Sequence, residues 1–282
     1  YITDYYTDEA IKVIEKNKHR PFFLYLAHWA VHNPLQALKS DVAAISHHTT
    51  GHNLQVYSGM ITALDRSVGR IVDALDKNGL TENTLIIITS DNGGASYIEL
   101  ADINDPYRGW KLTHFEGGTH IPFMAKWPDQ IQAGIEFIPA VHHNDIFQTI
   151  AAAGNAKVPM DRILDGVDFL PFVNGSKDGI LHETLFWRQG HQQTVLHKGW
   201  KLIRTSRADQ KWLFHLDIDP TEQNNLITDY PDKVQFLDKL LNAHNLEQAE
   251  PLWPSTVNAP VLIDKHTGQK YEKKDEYIYW PN

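Results

Sequence analysis

The sequence predicts an α/β protein: a layered core over residues 1–178, followed by a smaller α+β unit over residues 179–282 with a four-stranded antiparallel sheet. Three observations carry this. The apolar run Leu85-Ile86-Ile87-Ile88-Thr89 reads as a strand buried on both faces, as in a parallel sheet, and it stops abruptly at Ser90-Asp91-Asn92-Gly93-Gly94. Helical and strand patterns alternate before it, the signature of stacked α/β layers. Beyond residue 179 the rhythm shortens to brief strand candidates separated by turns.

The elements follow in order. Thr7-Asp8-Glu9 is a helix start, with acids in the first turn where the dipole favours them, and Ala10, Ile11 and Ile14 form the apolar side. Pro21-Phe22-Phe23-Leu24-Tyr25-Leu26-Ala27 is predicted as a second buried strand, running into His28-Trp29-Ala30-Val31-His32-Asn33-Pro34. Residues 41–55 are expected to be a loop. Met60, Leu64, Val68, Ile71 and Leu75 recur at helical spacing, and Gly79 caps that helix. A further strand covers Phe123 to Trp127. Asn144 is the expected cap of a helix whose inner face is Ile146, Phe147, Ile150 and Ala153. The four short strands are Glu183–Arg188, Gln193–His197, Lys201–Arg204 and Lys211–Leu216. Val234, Leu237, Leu240 and Leu241 mark one more amphipathic helix. A Pro-rich tail from Pro251 ends in the aromatic run Tyr277-Ile278-Tyr279-Trp280. Lys198, Lys201, Arg204, Arg207 and Lys211 read as a solvated basic strand face.

Composition narrows the function classes. A chain of 282 residues, 42% hydrophobic and 22% charged, has ordinary globular composition. Its net charge of −9 argues against nucleic acid as a partner, because phosphate binding needs a basic surface. The absence of cysteine excludes disulfides, thiolate metal sites and a cysteine nucleophile in this chain. No apolar run reaches the length of a membrane span. Tyr1-Ile2-Thr3-Asp4 has neither an initiator Met nor a signal-peptide pattern, so the chain is expected to be part of a longer protein.

On residues alone, Asp91-Asn92-Gly93-Gly94 has two readings. It is an Asx-type turn, or it is a pair of hard oxygen ligands for Ca²⁺ or Mg²⁺ at the C-terminal end of a strand, where α/β proteins place their ligands. His47, His48 and His52 match no standard metal-ligand spacing and read as loop residues.

Separate stretches, in order, decide between the readings. Pro21-Phe22-Phe23-Leu24-Tyr25-Leu26 leads to His32-Asn33-Pro34. The Thr84-to-Gly94 strand and turn precedes Arg108-Gly109-Trp110-Lys111 and Glu116-Gly117-Gly118. Trp212 to Glu222 then reaches Asn225-Leu226. With these the sequence resembles the sulfatase family of the alkaline-phosphatase-like superfamily, most of all the arylsulfatase A/B group. The resemblance implies an alkaline-phosphatase-like layered core, incomplete at its N-terminus. It implies Asp91 and Asn92 as metal ligands, Lys111 as the lysine on a sulfate oxygen, and His32 beside the sulfate as the acid for the leaving oxygen. Glu116, Gly117, Gly118 and His120 take supporting roles. Other readings stand beside these: His32 pinning a turn, and Lys111 as a surface lysine.

Two departures accompany the resemblance. The C/S-x-P-x-R segment that carries the family's formylglycine is absent, as are the paired aspartates that complete the metal site. His120 stands where the family often has arginine. The expectation is therefore the C-terminal portion of a metal-dependent sulfatase, which needs the missing N-terminal half of its catalytic domain and is inactive alone. Its substrate would be a sulfated sugar or an aryl sulfate ester, and the enzyme would be periplasmic or secreted. The alternatives are a phosphatase or phosphonate monoester hydrolase of the same superfamily, and a carbohydrate-binding relic.

Overall fold

The computed structural model describes residues 1–253 and 258–281. Packing divides the chain into two compact units: Tyr1–Ile87 with Met124–Leu181, and Ile88–Phe123 with His182–Asn282. In chain order the first elements are α1 (Ile2–Asn17), α2 (Lys39–Ile45), α3 (His52–Lys77), β1 (Ile86–Thr89), α4 (Glu116–Thr119), β2 (Phe123–Lys126), α5 (His143–Ala153) and α6 (Leu170–Val173). They are followed by β3 (Thr184–Gln189), β4 (Gln192–His197), β5 (Trp200–Thr205), β6 (Lys211–His215), α7 (Pro231–Leu246), β7 (Asn258–Leu262) and β8 (Tyr277–Pro281). Among the described residues no helix is long and apolar enough to cross a membrane.

In the first unit three helices are tied by charge and by buried hydroxyls. Arg66 of α3 reaches Asp41 of α2 at 2.6 Å and Asp4 of α1 at 3.2 Å. Thr7 donates to Ser67 Oγ at 2.6 Å, and His28 Nε2 lies 3.0 Å from the same oxygen. Beneath them Ile14, Met60, Ala63 and Leu75 are buried. The chain leaves α3 through Gly79, whose φ of +67° suits a residue without a Cβ.

Several expectations are corrected here. The first helix starts at Ile2, before Thr7. Residues 41–55 are not a continuous loop, because they hold the end of α2 and the start of α3. Phe22 to Ala27 alternates half-buried and exposed residues, yet it joins no ladder among the described residues, and Phe23 and Tyr25 face solvent. An apolar run gives an extended backbone, but a strand needs a neighbour for its N–H and C=O groups. β1 pairs with β2 and is half-buried, not enclosed on both faces.

α5 is also turned differently. His142, not Asn144, is the cap: its Nδ1 accepts from the Asn144 N–H at 3.2 Å, and Asp145 accepts from the His142 N–H at 2.7 Å. The buried residues are Asp145 and Thr149, which accept from the N–H groups of Val167 and Phe169 at 2.8 and 3.1 Å. Phe147 is exposed. The helix buries the side chains that bond a neighbouring backbone, and this outranks its apolar stripe.

The second unit contains the expected antiparallel sheet, in the order β3-β4-β5-β6. Strand alternation sends successive side chains to opposite faces. On one face Val195, Leu202 and Leu213 pack on Leu237 and Leu241 of α7. On the other, Ile203, Trp212 and Phe214 pack on Phe115 and on Val261 and Ile278 of the β7–β8 hairpin. The aromatic run at the end of the sequence is therefore a strand. The Pro-rich start of the tail lies partly outside the described residues.

Candidate active site

Three glycine-bearing loops of the second unit are stitched together by backbone. The Gly93 N–H donates to Gly118 O at 3.1 Å, the Lys111 N–H to Gly94 O at 2.8 Å, and the Gly117 N–H to Arg108 O at 2.7 Å. No side chain fits between them. A Cβ on Gly93 would meet Gly117 O at 1.8 Å, and one on Gly118 would meet Thr113 O at 2.2 Å. The glycines are required by close approach, and the approach fixes where their neighbours point.

Asn104, which no sequence pattern singles out, pins the same junction. Its Oδ1 accepts from the Gly94 N–H at 2.7 Å, while its Nδ2 donates to Gly94 O and Gly109 O at 3.0 Å each. A single side-chain amide meets a donor and two acceptors of the backbone, as its chemistry permits.

This scaffold brings Asp91, Asn92, Lys111 and Gly118 to the lining of one open cleft of about 540 Å³. Asp91 is exposed and Asn92 half-buried. Asn92 Nδ2 donates to Gly93 O at 2.9 Å, which orients its amide. Lys111 Nζ stands 6.0 Å from the centre of the Tyr97 ring. As a metal site the residues fit in part. Asp91 and Asn92 supply hard oxygens of the right kind, but Ca²⁺ takes roughly six to eight. Among the described residues no group of three His, Cys, Asp or Glu side chains is arranged to hold a metal.

A charge chain, buried at Lys201 and Glu222 and exposed at His120, includes Glu116 at the start of the Gly117-Gly118 turn. Lys201 Nζ is 2.6 Å from Glu116 Oε1 and 2.9 Å from Glu222 Oε1. Glu222 Oε2 in turn accepts from the Glu116 N–H at 2.6 Å. Glu116 Oε2 lies 2.8 Å from His120 Nδ1, and His120 stacks on Tyr107 with ring centres 4.3 Å apart. Burial opposes ionisation of Glu116, but Lys201 and His120 overcome it and hold the carboxyl down at about 2. Burial opposes the Lys201 charge as well, and Glu116 and Glu222 keep its pKa raised. Burial pushes Glu222 up despite the same lysine. Next to this chain, His114 is buried with its Nδ1 3.0 Å from Thr194 Oγ1, and burial, helped by Lys201, pushes it down to about 3.

The basic run is thereby corrected. Alternation along β5 sends Lys201 to the loop face, where it is buried. Arg204 and Lys211 go to the α7 face and pair with Asp238 at 3.0 and 2.5 Å. Lys198 pairs with Glu183 at 3.1 Å.

Arg108 clamps the C-terminal hairpin to the site. Its guanidinium is bidentate on Asp264, at 2.6 and 2.8 Å, and also meets Glu276. His32 belongs to the first unit. It is exposed, and its Nδ1 lies 2.7 Å from Asn33 O. A carbonyl can only accept, so this nitrogen carries the proton.

The sulfatase family profile matches residues 1–156, and the profile of the N-sulphoglucosamine sulphohydrolase C-terminal region matches residues 109–249. The uncharacterized sulfatase YdeN of Escherichia coli is 35% identical over 189 residues, covering 66% of this chain and 33% of that protein. The N-acetylgalactosamine-6-O-sulfatase of Bacteroides thetaiotaomicron is 30% identical over 267 residues, covering 86% of this chain and 50% of that protein. The structure of Ps i-CgsB in complex with k-i-k-neocarrahexaose superposes with a TM-score of 0.81 at 30% identity, covering 90% of this chain and 56% of that one. The chain spans about a third to a half of the length of these curated relatives.

Proposed function

The chain belongs to the sulfatase family, and from that premise we propose that it supplies the C-terminal part of the active site of a sulfuric ester hydrolase. The observation that carries this is the convergence of Asp91, Asn92 and Lys111 on one cleft, held by loops too tight for any Cβ. In this reading Asp91 and Asn92 give two oxygens to a Ca²⁺ or Mg²⁺ ion, and the remaining ligands and the formylglycine come from the rest of a longer protein. When bound, the metal offsets charge on the sulfuryl oxygens. Lys111 does the same from its side of the cleft, as a point charge that needs no rearrangement during reaction.

His32 is assigned the proton for the leaving oxygen. With Nδ1–H fixed on the Asn33 carbonyl, proton exchange falls to Nε2. Glu116 and His120 support the Gly117-Gly118 turn. The substrate is a sulfated sugar, in keeping with the N-acetylgalactosamine-6-O-sulfatase and the oligosaccharide-bound structure among the relatives. The enzyme is periplasmic or secreted, and this portion by itself is inactive.

The test is turnover by the complete enzyme. It is offered sulfated oligosaccharides, 4-nitrophenyl sulfate and a phenyl phosphonate monoester, with released sulfate measured by ion chromatography. Sulfate release that is lost in Asp91→Ala and Lys111→Ala is expected. Hydrolysis of the phosphonate ester alone would assign a phosphonate hydrolase instead.

A further inference from the structure

The cleft has a second wall, which the sulfate chemistry does not use. Trp187 and Gln189 of β3 and Trp280 of β8 line it together with Asp91, Asn92 and Lys111. In the β3–β4 ladder Trp187 stands opposite Thr194, and Gln189 opposite Gln192. Opposed residues share a face. Thr194 contacts His114 at 3.0 Å, and Gln192 donates to Leu112 O at 2.7 Å. Trp187 and Gln189 therefore project on the face of the sheet that carries the site loops.

Trp280 reaches the same place from the other end of the sequence. It follows Ile278 by two residues and so lies on the same face of β8. Ile278 is fully buried in the core, and Trp280 packs against that core while remaining partly exposed. The hairpin is fixed before any ligand arrives. Trp212 Nε1 donates to Glu276 at 2.9 Å, Arg108 holds Asp264 and Glu276, and the Arg207 guanidinium lies 3.7 Å from the centre of the Tyr279 ring.

We propose that this wall binds the sugar ring next to the sulfated one, so that the cleft is a two-ring site for a sulfated oligosaccharide. The proposal rests on the reading that Lys111 holds the sulfate. A pyranose has an apolar C–H face that lies well on an indole, and tryptophan offers a large rigid area with few torsions to freeze. Gln189 carries both a donor and an acceptor, which suits the hydroxyl at the edge of such a ring. The volume of about 540 Å³ falls within the range of small-ligand clefts and leaves space beyond a single ring. A simple aryl sulfate would fill only the Lys111 side.

The experiment uses the complete enzyme and a panel of sulfated carrageenan and glycosaminoglycan oligosaccharides, with 4-nitrophenyl sulfate as the one-ring reference. On the best oligosaccharide, Trp280→Ala should lower kcat/KM roughly tenfold, mainly through KM, while leaving 4-nitrophenyl sulfate within about twofold. Trp280→Phe should recover most of the loss, which shows that the hairpin still folds. Equal losses on both esters, or none on the oligosaccharide, overturn the proposal. Tryptophan fluorescence, titrated with the same oligosaccharides after desulfation, reads the wall without turnover. Quenching in the wild type that weakens in Trp280→Ala supports it, and no quenching by any member of the panel overturns it. Failure of the sulfatase reading looks different: no ester is turned over, yet the fluorescence titration persists.

Discussion

The ammonium of Lys201 stands 2.9 Å from Glu222 Oε1, and neither side chain reaches solvent. Both partners contact Glu116, the residue that precedes the Gly117-Gly118 turn. Lys201→Met would leave two carboxylates buried without their cation. The expected loss is roughly 3–5 kcal/mol in urea denaturation of the complete enzyme. The double variant Lys201→Met/Glu222→Gln should recover part of it, since one uncompensated charge is removed. A loss below about 1 kcal/mol for the single variant would show that the charges are solvated after all.

His114 sets an acid limit. Its folded pKa is depressed to about 3 by burial and by Lys201, below the ordinary 6.5. The unfolded chain therefore takes up the proton first. The stabilisation is complete above pH 6.5 and is lost as pH falls from 6.5 through 3. Glu116, down at about 2, adds a second loss between its ordinary 4.5 and 2. His114→Gln should be less stable than wild type at pH 7 and should flatten the decline between pH 6.5 and 4.5, followed by denaturant midpoints at each pH. An unchanged slope would mean that His114 is protonated in the fold.

Two glycines should respond in opposite directions. Gly93→Ala drives a Cβ to within 1.8 Å of a backbone oxygen that has no free side chain to yield. It should cost about 3 kcal/mol or more and displace Asp91 and Asn92, lowering Ca²⁺ affinity in calorimetry of the complete enzyme. Gly69 lies inside α3, and its Cβ would meet nothing within 4 Å. Gly69→Ala should stabilise by about 0.5–1 kcal/mol, because alanine gives up less backbone freedom in a helix. Equal effects at the two positions would contradict the packing of the loops.

The roles proposed for His32 and Lys111 differ in how they depend on the leaving group. A nitrophenolate departs as an anion, whereas a sugar alkoxide needs a proton. General acid catalysis contributes roughly 10²–10⁴-fold where it is needed. His32→Ala should lose most of that on a sugar sulfate and far less on 4-nitrophenyl sulfate. Lys111→Ala should lose about equally on both, because every substrate shares the sulfuryl oxygens. The measurement is kcat/KM for both variants on both esters. Equal losses for His32→Ala would leave it a binding role only.

How far the sequence disclosed this arrangement depends on what each element needed. β3 to β6 were legible because alternation and turn residues are local, and α3 and α7 because their apolar spacing is regular. Phe22 to Ala27 has the apolar pattern of a strand without being one, because a ladder depends on a partner elsewhere, which local hydrophobicity does not report. Lys201 stands among basic neighbours in the sequence, but one strand divides such neighbours between two faces. Only the loop carrying Glu116 decides which of them is buried. β8 has the look of a tail in the sequence because its partner, Asn258–Leu262, includes Pro260 and carries little strand signal of its own. Asn104 follows no periodic rule at all; its role exists only once Gly94 and Gly109 are adjacent.

The Arg108 clamp has a consequence for the growing polypeptide. Asp264 and Glu276 lie 156 and 168 residues downstream of Arg108. At a synthesis rate of roughly 5–20 residues per second, Arg108 waits about 8–30 s on the ribosome before Asp264 is even made. The sheet of residues 184–215 is made within that interval, but the loops of 88–123 still lack the hairpin and the Asp264 and Glu276 carboxylates that later hold them. The cleft is thus assembled late, by contacts of high sequence separation, which are slow to form. Ribosome-bound chains arrested before residue 264 should present these loops to protease, and chains extended past residue 281 and clear of the exit tunnel should protect them.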